Sequence, residues 1–196
     1  MPKKTTLLII ILAITTTVLV ILAITSDQSI KPVVQKPSIA PTIAAVVKST
    51  TLSFAPALID ASGSTPVSVD ILADTSNDEI SGIQVELTYD PKVITNVKIA
   101  APLDASFFGL GKVLLSEVDP TLGRVSYFFF TNSNQKGIKG AGKIATVTFQ
   151  KATTALLPAQ TFISFVNKTM VTKFGVSESV LKQTTPLEIT LQQPAK

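Results

Sequence analysis

From Thr51 onward the sequence predicts an all-β sandwich, and three observations carry that expectation. Residues 83–90 alternate strictly, with Ile83, Val85, Leu87 and Tyr89 apolar and Gln84, Glu86, Thr88 and Asp90 polar. A period of two is the mark of a strand with one face in a core and the other in water. Further short β-type runs recur between turn residues through residue 192, the spacing of a sandwich or barrel. Nothing from residue 50 onward repeats with the 3.6-residue period of an amphipathic helix.

The elements follow in chain order. Residues 5–26 carry no charge and are mostly Leu, Ile, Val, Ala and Thr. A helix of that length spans about 33 Å, enough to cross a hydrocarbon layer of about 30 Å. Lys3 and Lys4 precede it and Asp27 is the first charge after it, so the positive-inside rule places the N-terminus in the cytoplasm and the remainder outside. The apolar run exceeds the roughly 7–15 residues of a signal-peptide core, and Ala23-Ile24-Thr25 is a poor cleavage site. Residues 1–26 are therefore expected to be an uncleaved transmembrane signal-anchor. Residues 27–47 hold Pro32, Pro37 and Pro41 among Ser, Thr, Gln and Lys, the composition of an extended, semi-rigid stalk.

The domain is expected over residues 48–192, with 193–196 as a tail. Predicted strands are 51–54, 67–72, 82–90, 95–99, 112–115, 124–131, 143–150, 161–166 and 187–191, with turns at 61–64, 75–78 and 119–123. Pro91 ends the organising strand because it cannot donate to a ladder, and Asp90 favours the turn.

Composition excludes several function classes. The 196 residues contain no His and no Cys, so a Ser-His-Asp triad, a Cys-His dyad and an ordinary zinc site are all ruled out. The same absence rules out disulfides and a lipid-modified cysteine anchor. From Asp27 onward 15 basic side chains, Arg124 the one arginine among them, face 13 acidic ones. Scattered lysines with a single arginine do not form the basic stripe of a nucleic-acid interface. Asp74, Ser76 and Asp78 have the opening spacing of a calcium loop, but Glu79 and Val85 stand where glycine and glutamate are needed. Glu86 and Glu117 are the acids that could form a glycosidase pair, yet no motif joins them. Asn167-Lys168-Thr169 matches a glycosylation sequon by composition alone, and Lys136, Lys139 and Lys143 sit among Gly137, Gly140 and Gly142 in a loop. The expectation is a binding protein with no catalytic residues, metal or cofactor.

Four pieces of the sequence together resemble a known family. Thr51-Leu-Ser-Phe54, residues 65–72 (Thr-Pro-Val-Ser-Val-Asp-Ile-Leu), residues 80–91 ending in Tyr89-Asp90-Pro91, and residues 142–149 (Gly-Lys-Ile-Ala-Thr-Val-Thr-Phe) are similar to the cohesin domain. That is the receptor half of the cohesin–dockerin pair of cellulosomes. The resemblance implies a jelly-roll or immunoglobulin-like β-sandwich that docks a dockerin-type protein concerned with polysaccharide breakdown. It also implies that the docking face includes the outward side chains of the strand before Tyr-Asp-Pro, here Gln84, Glu86 and Thr88. The family pattern has Asn and Asp at positions matching Gly82 and Gln84, and this chain departs from it.

The run Tyr127-Phe128-Phe129-Phe130 is the other candidate. Alternate residues of a strand face opposite ways, so one core takes only half of these rings. The other half is either a binding platform, for protein or for stacked polysaccharide, or is covered by a neighbouring segment. The expected outward positions are Tyr127, Phe129 and Thr131, with Asn132 at the strand end.

Overall fold

The computed structural model describes residues 15–17, 21, 46–102, 111–131 and 137–193. The chain divides into two compact units, Met1–Ala44 and Ala45–Lys196. In the first, the described residues are Thr15, Thr16, Thr17 and Ile21, all helical and exposed. Most of the expected anchor at 5–26, residues 27–45 of the expected stalk at 27–47, Asn132 and tail residues 194–196 lie outside the described residues. Among the described residues no helix is long and apolar enough to cross a membrane.

Among the described residues, the regular elements of the second unit are all strands. In chain order these are β1 (Thr50–Ala55), β2 (Leu58–Asp60), β3 (Val67–Asp74), β4 (Ile80–Thr88), β5 (Ile94–Ala100) and β6 (Gly111–Asp119). Then come β7 (Arg124–Thr131), β8 (Ala141–Lys151), β9 (Ala159–Phe165), β10 (Met170–Lys173), β11 (Leu181–Thr185) and β12 (Leu187–Leu191). One sheet has the order β11-β1-β3-β8-β5, and the other β2-β12-β9-β4-β7-β6, with β10 also paired to β4. The result is a two-sheet β-sandwich. All nine segments predicted from the sequence are strands; β2, β10 and β11 were not foreseen. β2 and β10 are too short to show a period, and Lys182-Gln-Thr-Thr185 of β11 offers no apolar alternation.

The inner faces meet as the alternation requires. Ile83, Val85 and Leu87 of β4 are buried and pack with Val69 and Ile71 of β3, Val147 and Phe149 of β8, and Leu187 and Ile189 of β12. Burial on this scale stabilises the fold at roughly 25 cal/mol for each Å² of apolar surface removed from water. The outer face of the five-stranded sheet is polar instead. Ser68 and Thr148 share a hydrogen bond of 3.0 Å, Thr146 donates to Asp70 at 2.8 Å, and Lys143 pairs with Asp70 at 2.9 Å.

The Tyr-Asp-Pro corner that closes β4 is held from both sides. The Asp90 side chain accepts from the Lys92 N–H at 2.8 Å, and Tyr89 N–H donates to Gly123 O at 2.9 Å. Gly123 has φ of 63°, and a Cβ there would lie 2.2 Å from Tyr89 O. Glycine is required at this position by conformation and by contact.

One internal polar group is left over. Among the described residues, the Thr50 hydroxyl is buried with no hydrogen-bond partner. Leaving a hydroxyl unmet costs about 1–3 kcal/mol, and valine keeps the β-branched shape that suits a strand. Thr50→Val is expected to raise stability by about 1 kcal/mol, seen as a rise of about 2–4 °C in thermal midpoint; a drop would show that the hydroxyl is satisfied.

Candidate functional site

The outward face of β4, β7 and β6 is the candidate site, and the strand registers place its side chains in rows. Gly82, Gln84, Glu86 and Thr88 stand opposite Phe130, Phe128, Ser126 and Arg124. These in turn stand opposite Lys112, Leu115, Glu117 and Asp119 of β6. On the other side of β4, Met170 faces Gln84 and Thr172 faces Gly82. Directly opposed residues share a face, so four rows cross this surface. The second runs Met170–Gln84–Phe128–Leu115, and the third runs Glu86–Ser126–Glu117.

Gln84, Glu86 and Thr88 are half-buried on this outer face, where the sequence placed them. The aromatic strand is in the opposite phase from the one expected. Tyr127 is 0% exposed, Phe129 4% and Thr131 4%; all three point into the protein and cannot form a surface platform. The rings that remain half-buried at the surface are Phe128 and Phe130. A signal for this was present: Arg124 and Ser126 share the phase of Phe128 and Phe130, and a polar start to the strand marks the outward set.

The reason for the inward phase lies across the sandwich. The Tyr127 hydroxyl donates to Ile144 O at 3.0 Å, bridging from β7 to β8 in the opposite sheet. Burial pushes the Tyr127 phenol up to about 12. Phe129 fills the space over Gly111, where a Cβ would lie 1.8 Å from its ring. On the outer side, a Cβ at Gly82 would meet Phe129 O at 3.1 Å, Thr172 Oγ1 at 3.2 Å and the Phe128 ring at 3.5 Å. The tight neighbours are Phe129 O and Thr172 Oγ1, with the Phe128 ring at ordinary contact distance, and they leave little room where the family pattern has a longer polar side chain.

The second feature is a break in the strand beside Glu86. β9 pairs with β4 at Leu87 and Thr88, and β10 pairs with it from Ile80 to Gln84. Between them the chain leaves the ladder in a turn closed by Thr169 N–H to Val166 O at 2.8 Å. The backbone of Glu86 is met by substitutes. Val166 N–H donates to Glu86 O at 2.9 Å, and the buried Thr169 hydroxyl donates to the same oxygen at 3.0 Å. That hydroxyl also accepts from Glu86 N–H at 3.1 Å. The break opens a groove of about 790 Å³ between this turn and the side chains of Gln84, Glu86, Thr88, Arg124 and Ser126.

The Glu86 carboxylate lies in this groove and is fixed in direction. Gln84 Nε2 donates to one of its oxygens at 3.0 Å, and Ser126 Oγ donates to the other at 2.7 Å. Glu117 shares its row but stands two strands away, about 10 Å by ladder spacing. Elsewhere, the acids with calcium-loop spacing have internal partners. Asp74 accepts from Ser76 N–H at 2.8 Å, and Asp78 pairs with Lys173 at 2.6 Å. Hydrogen bonds from Lys173 and Ser49 hold the Asp78 carboxyl below the usual carboxylate range. Among the described residues no three acids, His or Cys gather closely enough to hold a metal ion.

No family model matches this chain, and no curated protein matches it. Its fold does match solved structures. A type I cohesin from Clostridium thermocellum, crystallised with a dockerin, aligns at a TM-score of 0.60 and 13% identity, over 77% of this chain and 98% of that one. A cohesin from Clostridium acetobutylicum aligns at a TM-score of 0.58 and 16% identity, over 76% and 94%. A non-cellulosomal cohesin from the archaeon Archaeoglobus fulgidus aligns at 0.52 and 17%, over 72% and 90%. At such identities the likeness concerns the fold, and by fold the second unit of this chain is a cohesin-like β-sandwich.

Proposed function

We propose that this protein is a membrane-anchored, surface-displayed receptor that docks a dockerin-type partner on the outer face of β4, β7 and β6. The observation that carries this reading is the set of apolar side chains Met170, Phe128 and Leu115 in the row through Gln84, with Phe130 beside it, on an otherwise polar sheet face. Met170 is 39% exposed, and Phe128, Phe130 and Leu115 are half-buried. Aromatic and Met side chains bordered by polar groups are the usual core of a protein interface. Solved cohesins of the same fold were crystallised with dockerins, which supports a protein ligand over a glycan. In this reading residues 5–26 anchor the chain in a membrane, residues 27–47 hold the domain away from it on the extracytoplasmic side, and the partner brings activity toward polysaccharides. The domain itself catalyses nothing.

The test is capture from the organism's own secreted proteins by the full-length chain, immobilised through its N-terminal segment, with and without a calcium chelator. A dockerin-type partner folds around calcium, so an identified partner bearing paired calcium loops, released by chelation and lost on Phe128→Ala, is the expected result. Saturable adsorption to insoluble glycan with no protein captured would replace this reading with polysaccharide binding at Phe128 and Phe130.

A further inference from the structure

The turn between β9 and β10 carries Asn167-Lys168-Thr169, an Asn-x-Thr triplet of the kind that accepts N-linked sugar. Asn77, Asn96, Asn132 and Asn134 have no Ser or Thr two residues on. The fold treats the two ends of the triplet in opposite ways. Asn167 and Lys168 are exposed at the centre of the turn closed by Thr169 N–H to Val166 O. Among the described residues no hydrogen bond engages the Asn167 side chain. Open space lies on both sides of it: the groove beside Glu86, and a second groove of about 390 Å³ toward Ser179 and Thr184. A bulky substituent on Asn167 Nδ2 is therefore accommodated without moving a strand. Thr169, by contrast, is 7% exposed, and its hydroxyl is taken up by the Glu86 backbone, which it bonds at both C=O and N–H.

We infer that Asn167 carries an N-linked glycan and that the sugar is attached before β10 pairs with β4. The inference rests on the extracytoplasmic placement proposed above, because N-linked sugar belongs to surface loops of exported chains. In the transfer, Asn167 Nδ2 bonds to the anomeric carbon of a sugar carried on a membrane lipid phosphate. The bond from that carbon to the phosphate oxygen breaks, the lipid phosphate leaves with the electron pair, and Nδ2 gives up one proton to a base of the transferase. The transferase must reach both the Asn amide and the hydroxyl two residues on. In the folded domain only Asn167 is within reach. Releasing the Thr169 hydroxyl leaves Glu86 N–H without its partner, and the cost of an unmet backbone group opposes that release. The chain is therefore a substrate while β10 is still undocked, and folding then closes over Thr169 and leaves the glycan in solvent. There it covers an exposed polar turn of the kind that proteases nick.

The test is made on the full-length protein in its own organism. A membrane-impermeant amine reagent applied to intact cells first reports whether the lysines of the domain face outward. The peptide containing Asn167 is then examined by mass spectrometry. Expected is a mass excess of whole sugar residues on that peptide, lost in Asn167→Gln and retained in Thr169→Ser, which keeps both the triplet and the hydroxyl. Membranes that modify a synthetic peptide of residues 162–174 should leave the folded full-length chain, prepared without sugar, unchanged. An outward-facing domain with a bare Asn167 would overturn the modification and leave the surface placement standing. Lysines that stay unlabelled on intact cells, with Asn167 bare, would overturn the placement and this inference together. Equal modification of the peptide and the folded chain would overturn the order of events.

Discussion

Phe129→Ala is expected to destabilise the domain by about 3–5 kcal/mol, while Phe128→Ala, one residue away, costs about 1 kcal/mol. Phe129 is 4% exposed in the core cluster and fills the space that Gly111 leaves open. Its removal leaves a cavity bounded by backbone, which collapses poorly. Phe128 lies half-buried on the outer face, and water occupies its place once it is gone. Total stabilities of single domains are about 5–15 kcal/mol, so the first variant loses a large share and the second keeps its fold. Urea midpoints of the two variants check this directly; the reverse ranking would put β7 back in the opposite phase. The same pair separates folding from binding. Loss of partner with Phe129→Ala reports only the damaged core, whereas loss with Phe128→Ala in a folded domain reports the surface.

The second large effect is alkaline. Tyr127 is fully buried and its phenol is raised to about 12, against about 10 in an unfolded chain. A folded-state value above the unfolded one means that the contribution is complete below pH ~10 and is lost as pH rises toward ~12. The shift corresponds to about 2–3 kcal/mol. Tyr127→Phe is the control, because it removes the ionising group and retains the ring. At neutral pH that variant should be less stable by about 1–2 kcal/mol, since Ile144 O loses its donor. Between pH ~10 and ~12 the gap should close and then reverse, because only the wild-type chain gains by unfolding and ionising Tyr127. All other titrating groups are common to both chains and cancel in the difference. A gap independent of pH would mean that the Tyr127 phenol is not shielded from solvent.

Much of the candidate site was legible on β4 and little of it on β7, and the difference is physical. On β4 the two sets of alternate residues differ in polarity, so burial of Ile83, Val85 and Leu87 leaves Gln84, Glu86 and Thr88 no choice of side. On β7 residues 127–130 are aromatic in both phases, and the hydrophobic effect alone does not choose between them. The choice is made by contacts that no local pattern encodes: the hydrogen bond from Tyr127 to Ile144 of the opposite sheet, and the fit of Phe129 over Gly111. The groove at Glu86 was invisible for a related reason. It exists because β9 and β10 share one side of β4 with a turn between them, and Met170–Lys173 is too short a strand to announce itself.

The sequence by itself determined the all-β class, nine of the strands, the Tyr89-Asp90-Pro91 corner and the absence of His- or Cys-based chemistry, because alternation, turn residues and composition are local properties. Only the tertiary structure decided which rings of β7 meet solvent, that Gly82 lies tight against Phe129 O and Thr172 Oγ1, and that Glu86 stands at a break in the neighbouring strand. Each of these depends on residues 17 or more positions apart in the chain meeting across a ladder or between sheets, and that proximity is created by the fold.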